Sequence, residues 1–249
     1  LLDDIDLTWA DVPILACSLV SGLVDSVAFN AGSVFVSMQT GNTIFLALGA
    51  AGLPAGQPGI WLRALVSLCA FWLGCCFFSS TRHFHPKRKA TLSISFLLQA
   101  SLIFISAALA QTNIAPAFGY TQLDPASKHD NAQKQADEGH WAVQLIIALL
   151  AFQSSGQIVL SRTLGFNEIP TNVVTSLYCD LLSDQKLFAP LTANVKRNRR
   201  VVAVVLLFGG GIGGGWLQHS NAGKASVLWI AGSLKMVIAL AWLVWKGKE

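Results

Sequence analysis

Eight apolar runs follow one another along this chain, and each is roughly long enough to cross a membrane as a helix. The runs cover residues 12–30, 34–53, 60–80, 91–111, 141–160, 169–189, 201–218 and 225–245. Hydrophobic residues make up 53% of the chain and charged residues only 12%, which is too few to cover the surface of a water-soluble fold. The sequence therefore predicts an all-α, polytopic transmembrane helix bundle whose first partner is the lipid bilayer.

The charges between the runs predict how many of them complete a crossing. Residues 81–89 and 196–200 are rich in Lys and Arg and are expected on the cytoplasmic side, as is the C-terminus with its two lysines. The polar, slightly acidic stretch 112–140 reads as a flexible non-cytoplasmic loop. Two runs separate 112–140 from 196–200, and two full crossings would put 196–200 on the wrong face. We therefore expect about six net spans, with broken or re-entrant helices accounting for the other runs.

A weak internal repeat supports this count. Residues 21–48 can be laid over residues 155–182, because both begin with Ser-Gly, meet a polar break about ten residues on, and continue into a patch that contains Thr. Each copy precedes two cleaner apolar runs, so each half would cross three times, which predicts a 3+3 inverted repeat. The expected divisions are an acidic N-terminal segment 1–11, a first transmembrane half 12–111, the loop 112–140 and a second transmembrane half 141–249.

Polar side chains inside the runs are the candidate functional residues. A charge such as Asp25 costs about 2.5–3.5 kcal/mol at the bilayer centre, so it should face a cavity or a partner. Lys235 lies in the middle of the last run, too deep to reach an interface, and Asp25 or Asp180 could pair with it. The same residues could instead only lock helices together through ion pairs and hydrogen bonds. The predicted substrate-binding residues are Asp25, Asn30, Gln39, Thr40, Asn42, Gln153, Gln157, Asn172, Thr175, Asp180 and Lys235.

The glycine-rich stretch "GGGIGGG" (209–215) resembles a phosphate loop only at first sight. It lacks the Gly-Lys-Ser/Thr ending of a phosphate loop and lies within an apolar run. Three overlapping Gly-x-x-x-Gly patterns instead predict close packing against another helix.

Two stretches carry a family resemblance. "GLVDSVAFNAGSVFVSMQTGN" (22–42) combines Gly-x-x-Asp, a break of small residues and Thr-Gly-Asn, and it resembles the YoaK-like family of uncharacterised membrane proteins. "IPTNVVTSL" (169–177) resembles that family's second patch, where a Thr-Gly pair is common; here Ser176 follows Thr175. The resemblance covers roughly residues 12–245. It implies six transmembrane segments and no established activity.

These observations favour a small-solute transporter that moves a small polar solute or a proton through a polar midplane site between its two halves. The alternative is a non-transporting membrane assembly or regulatory protein whose polar residues only pack helices. An enzyme is not expected, because no nucleophile and base occur in a recognisable pattern. No cofactor or metal motif occurs, the short basic loops do not suggest nucleic-acid binding, and the pattern leaves a homo-oligomer open.

Overall fold

A computed structural model describes residues 3–54, 57, 59–119, 131–220 and 223–248. The described residues form ten α-helices and no sheet. The helices are α1 Asp11–Gly32, α2 Gln39–Gly49, α3 Ile60–Ser79, α4 Lys89–Gln111, α5 Pro116–Gly119, α6 Asn131–Gly139, α7 Trp141–Leu164, α8 Val174–Leu182, α9 Val195–His219 and α10 Gly223–Val244.

Six of these helices, α1, α3, α4, α7, α9 and α10, are long and apolar enough to cross a membrane. The two remaining apolar runs, 34–53 and 169–189, form only the short helices α2 and α8. Each short helix follows a stretch of non-helical backbone, and the left-handed conformations of Ser33 and Thr171 interrupt helix geometry there. The prediction of about six spans from eight runs is therefore confirmed.

Residues 33–49, named here the first re-entrant segment, enter the bundle and leave at the same end. The backbone N–H groups of Val36 and Ser37 bond to Asp25, about 10 Å back along α1 from its last residue. At the other end of the segment, Gly49 lies against Trp61 near the start of α3. The side chain of Arg63 in α3 contacts the carbonyl of Gly32, so both ends of the segment lie on one side of the bundle.

Residues 165–182, named here the second re-entrant segment, repeat this course from the opposite end of the bundle. Thr171 contacts Gln157, about two turns back along α7 from Leu164. The segment then turns into α8, and Asp180 near the end of that helix pairs with Arg200 in the second turn of α9. The expected re-entrant helices are thus present in both halves.

The long helices pack in pairs that join the two halves of the chain. In each half the order of elements is long, short, long, long, first in α1 to α4 and then in α7 to α10. The most extensive packing is between α4 and α10, α1 and α9, and α3 and α7. The first long helix of each half therefore packs along the second long helix of the other.

Glycines allow two of these close approaches. A side chain on Gly210 of α9 would run into the backbone of α1 at Leu19 and Leu23, and one on Gly214 would meet Ser26. The predicted close packing of "GGGIGGG" is confirmed. Of the three overlapping Gly-x-x-x-Gly patterns, the one formed by Gly210 and Gly214 faces α1. In the pair of α3 and α7, Gly74 plays the same part.

Residues 3–6, 85–89, 196–200 and 246–248 assemble at one end of the bundle, named here the basic end. Ile5 donates to the carbonyl of Lys87 at 3.0 Å, and Lys248 donates to the carbonyl of Asp4 at 2.8 Å. A salt bridge of 2.8 Å between Arg199 and Asp11 adds the start of α9. The segments expected on the cytoplasmic face therefore lie together.

The opposite end is covered by part of the stretch 112–140. The sequence predicts a flexible non-cytoplasmic loop here, but α5 and α6 lie within the stretch, and residues 120–130 lie outside the described residues. Glu138 at the end of α6 is buried and forms a salt bridge of 2.8 Å with Arg63. This ion pair gives a polar helix a fixed position on the bundle.

Candidate functional site

A layer of polar side chains crosses the middle of the bundle between two apolar clusters. Along α4, Gln99 lies between Phe96 of one cluster and Ile103 of the other. The same order occurs along α10, where Lys235 lies between Ala231 and Ile238. Along α7, residues 153–157 lie between the two clusters in the same way. The polar layer is therefore a midplane feature of the fold.

Lys235 lies fully buried within this layer. Its Nζ donates to Oε1 of Gln99 at 2.7 Å and to Oε1 of Gln157 at 2.6 Å, and it lies 5.0 Å from the centre of the Phe96 ring. The sulfur of Cys17 is 3.9 Å away. Among the described residues, no carboxylate oxygen lies within 4.0 Å of the Lys235 Nζ, the largest distance of an ion pair. The expected pairing of Lys235 with Asp25 or Asp180 is therefore wrong, and two amide oxygens take that place.

Gln157 connects Lys235 to the rest of the layer. Its amide nitrogen donates to Ser21 of α1 at 2.6 Å and to Thr171 of the second re-entrant segment at 3.2 Å. Because its oxygen accepts from Lys235, one side chain joins α10, α1 and the second re-entrant segment. Long polar side chains that bond across helices in this way stabilise their mutual arrangement.

Asp25 lies two turns along α1 from Cys17 and is also buried. Its Oδ1 accepts from the backbone N–H groups of Val36 at 2.8 Å and Ser37 at 2.9 Å. Its Oδ2 accepts from the Ser37 hydroxyl. The carboxylate therefore satisfies the non-helical backbone of the first re-entrant segment, which would otherwise lack partners at this depth.

A second group of side chains holds the same segment from α2 and α3. The Asn42 amide donates to the Phe35 carbonyl at 2.6 Å and accepts from the Phe35 N–H at 3.1 Å. Ser67 of α3 donates to the same carbonyl at 2.8 Å. Gln39 bonds to Ser67 at 3.1 Å and to Asn42 at 2.8 Å. Sequence reasoning found Gln39 and Asn42, but it missed Ser67, which is one of many serines in apolar runs.

The two re-entrant segments meet within the polar layer. The amide nitrogen of Asn172 donates to the Ser37 carbonyl at 3.0 Å. Within the described part of the chain, the Asn172 oxygen and the nearby Ser18 hydroxyl have no partner. Both side chains line a cavity of about 10 Å³, which is about the space for one water molecule. A hydrogen-bonded path thus runs from Asp25 through Ser37 and residues 171–172 to Gln157 and Lys235.

The other predicted site residues lie apart from this path. Thr40 and Thr175 are exposed, and Asp180 is exposed beside Arg200. Asn30 donates to Gln218 of α9 at 2.9 Å, farther along α1 than Asp25. Gln153 is buried in α7 and bonds within its own helix, to Leu150 and Ser154. Among the predicted residues, the structure connects Asp25, Gln39, Asn42, Gln157, Asn172 and Lys235.

Two arginines that sequence reasoning missed hold the entrances of the re-entrant segments. Arg63 donates to the Gly32 carbonyl at 2.6 Å and pairs with Glu138. At the basic end, Arg199 pairs with Asp11 and with Glu168 of the second re-entrant segment, both at 2.8 Å. The signal in the sequence is a cation within the first turns of a span, but its partners are distant in the chain.

The described residues contain no group of three or more His, Cys, Asp or Glu side chains arranged to hold a metal ion. Two buried charged residues are joined by the hydrogen-bonded path: Lys235 lies in the polar layer, and Asp25 lies about two turns farther along α1 than Cys17, which contacts Lys235.

Three comparisons with known proteins gave one match, to a family model. A search of curated proteins and a search of solved structures found no match. The model of a family described as "Protein of unknown function (DUF1275)" matches residues 14–241, which is most of the chain. The expected membership of a family without an assigned activity is confirmed. With its six membrane-length helices and this match, the chain belongs to the DUF1275 family of proteins of unknown function.

Proposed function

We propose that this protein is a small-solute membrane transporter whose site is the polar layer at the middle of the bundle. The observation that carries the proposal is the meeting of two re-entrant segments from opposite ends, at Ser37 and Asn172. Interrupted helices at the interface of two repeats are how many transporters build a midplane site. A cavity with room for about one water molecule lies at this meeting point, beside Asn172.

The charges of the layer favour a functional role over simple packing. A carboxylate and an amine are both buried, and neither has an oppositely charged partner within 4.0 Å among the described residues. Ionisable groups inside a membrane are expensive, and an apolar layer would pack as well or better. Asp25 and Lys235 are therefore the residues that we assign to binding or coupling.

The packing of the helices supports an inverted 3+3 repeat as the moving framework. In such a repeat, the three spans of one half run in the direction opposite to the three spans of the other half. The pair α1 and α9 is then equivalent to the pair α7 and α3. By the positive-inside rule, we assign the basic end to the cytoplasm. Alternating access would rock one half against the other around the polar layer.

Ion pairs close both ends of this framework. Arg63 with Glu138 lies at the end away from the basic loops, and Arg199 with Asp11 and Glu168 lies at the basic end. A solute could reach the polar layer from the water at either end of the bundle only after one set opens. We therefore assign the observed arrangement to an occluded state.

Flux into proteoliposomes tests the proposal. Purified protein is reconstituted with an internal pH dye and challenged with labelled amino acids, sugars, amines and organic acids, each with and without a pH gradient. We expect at least one solute or protons to enter faster than into protein-free vesicles. Asp25→Asn and Lys235→Gln should each lower that flux about tenfold or more, since each removes a charge from the site.

Asp3→Asn is the matched control, because this carboxylate is exposed at the basic end, far from the layer. Its flux should equal that of the unmodified protein. No movement of any solute or of protons across the panel contradicts the proposal. A stoichiometric protein partner that co-purifies with such an inactive protein would favour the assembly or regulatory alternative.

A further inference from the structure

A groove of about 390 Å³ opens on the flank of the bundle beside Asp25. Its walls come from α1, the first re-entrant segment and the middle of α9. Phe29, Phe208 and Ile212 at its rim are exposed, and α9 is one of the six spans, so the groove faces the lipid region. This volume lies within the range of small-molecule pockets.

The carboxylate of Asp25 lines this groove, and it can accept one more hydrogen bond. Two of the contacts to the Asp25 carboxylate go to Oδ1 and one goes to Oδ2. A carboxylate offers about four lone-pair positions, so one on Oδ2 is open. No nitrogen of a described Lys, Arg or His lies within 4.0 Å of either oxygen. The charge of Asp25 is therefore left for a ligand to balance.

The walls suit an apolar body attached to a cation. The rings of Phe29 and Phe35 stack with their centres 5.1 Å apart and an angle of 22° between their planes, and both line the groove. Aromatic faces attract ammonium groups, and this attraction is stronger away from water. The remaining walls are mostly apolar, including Leu207 and Phe208 of α9.

We propose that this groove binds a lipophilic ammonium ion that enters from the bilayer, with its nitrogen on Asp25 and its apolar part between the aromatic pair and α9. The inference rests on the proposed function, because it names a substrate class for the same carboxylate. It is tested by binding alone, so it can fail or succeed separately from transport.

Calorimetric titration in lipid nanodiscs is the direct test, with protein-free nanodiscs subtracted. The probe is 4-phenylbutylamine, which is protonated at pH 7, and the matched uncharged probe is 4-phenylbutan-1-ol. We expect saturable binding of the amine at least about tenfold tighter than of the alcohol, since a charge-assisted hydrogen bond is lost with the alcohol. Asp25→Asn should reduce this preference to about twofold or less.

Gly211 offers a variant that fills the groove. It lines the groove, and a Cβ added there meets no atom within 4 Å. Gly211→Leu should therefore fold normally and weaken amine binding about tenfold or more by occupying the space. Gly209→Leu is the matched control, because Gly209 also has open space around it but does not line the groove. Its affinity for the amine should stay within about twofold of the unmodified protein.

The outcomes separate the two proposals. Absence of saturable binding, or equal affinity for amine and alcohol, overturns the ammonium site and would mark the groove as an apolar or lipid-filled crevice. If Asp25→Asn does not fold, the amine preference and the effect of Gly211→Leu decide. Amine binding without flux of any solute keeps the groove proposal and refutes the transporter.

Discussion

The middle of the first re-entrant segment is held by side chains of α1, of α3 and of its own helix α2, whereas the second segment keeps one buried amide oxygen without a partner among the described residues. Asp25 of α1, Asn42 of α2 and Ser67 of α3 bond to the backbone of residues 35–37. In the second segment, Asn172 uses only its nitrogen, and a one-water cavity lies beside it. The short helix α2 also packs extensively along α3, while α8 touches α9 only briefly.

This difference suggests which half is the fixed part and which is the moving part. Segments with few buried contacts and unsatisfied polar groups open at low free energy. Under the proposed transport function, we therefore expect the second segment, with its entrance at the basic end, to move when the bundle opens. The first segment then acts as the fixed wall of the site.

Removing the Asp25 side chain should give the largest effect. Asp25→Ala leaves two backbone N–H groups and a hydroxyl buried without an acceptor, so we expect a loss of about 3–5 kcal/mol in unfolding free energy. Asn172→Ala removes one bond and should lose only about 1 kcal/mol. Thermal unfolding of the protein in detergent compares the two variants. Equal losses would remove the contrast between the segments.

The arginines at the two entrances should also differ in their contribution to the unfolding free energy, with the larger contribution from Arg63 at the first segment. The side chains of Arg63 and Glu138 are 3% and 7% exposed, whereas Arg199 is 23% exposed. Arg63→Gln should therefore cost about 3 kcal/mol, because it leaves Glu138 buried without its partner. Arg199→Gln should cost less, about 1–2 kcal/mol, since Arg199 and its partner Asp11 are 23% and 18% exposed and screened by water, although its second partner Glu168 is only 7% exposed. A larger loss of unfolding free energy for Arg199→Gln than for Arg63→Gln would contradict this order and show that the basic end is held more strongly.

Replacing Ser37 of the first re-entrant segment and Ser18, which lies beside the second, should change the stability of the protein differently. Ser37→Ala removes a hydroxyl that donates to Asp25 and should cost about 1–2 kcal/mol. Ser18→Ala removes a hydroxyl that has no partner among the described residues, so it should be neutral or slightly stabilising. Melting temperatures measured side by side check this. A clear destabilisation by Ser18→Ala would indicate an ordered water in the cavity beside Asn172.

The smallest effect concerns the anchor of α8 and depends on pH. The side chain of Asn194 and the N–H of Lys186 bond to Asp184, and these bonds hold the pKa of this carboxyl below its usual value. Its contribution to stability is then complete above the unfolded-state pKa of about 3.9, and it is lost as pH falls through the lower folded-state value. Asp184→Asn should slightly lower the melting temperature at pH 7, and the difference should be smaller at about pH 3, because that pH lies below the unfolded-state pKa. A difference that persists unchanged at that pH contradicts the assignment.

The course of the chain through the bundle was predictable from local chemistry. Run length identified eight apolar runs, and the basic clusters required an odd number of crossings between residues 140 and 196, which together with the repeat left about six spans. Asp25, Gln39 and Asn42 could be recognised as residues with hydrogen-bond partners inside the bundle, because polar groups in an apolar run must find partners. Thr40 and Thr175 could not be excluded in the same way, since the direction in which a side chain points depends on where a short helix begins.

The partners of the charged residues could not be read from the chain. Charge alone paired Lys235 with an aspartate, but the fold brings Gln99 and Gln157 to it from two other helices. The role of Arg63 depends on Glu138, 75 positions away and just before α7. Such pairs form only when helices distant in sequence pack together.

By itself, the sequence determined that this chain spans a membrane about six times, that two of its apolar runs do not cross, and that its glycines pack a helix closely. These properties follow from local hydropathy, charge and side-chain size. The tertiary structure decided that the two interrupted runs meet at Ser37 and Asn172, and that the Asn172 oxygen keeps no partner among the described residues while Asp25 accepts three hydrogen bonds from the other run. Contacts of that kind arise between groups far apart in the chain, and their geometry exists only once the helices are packed.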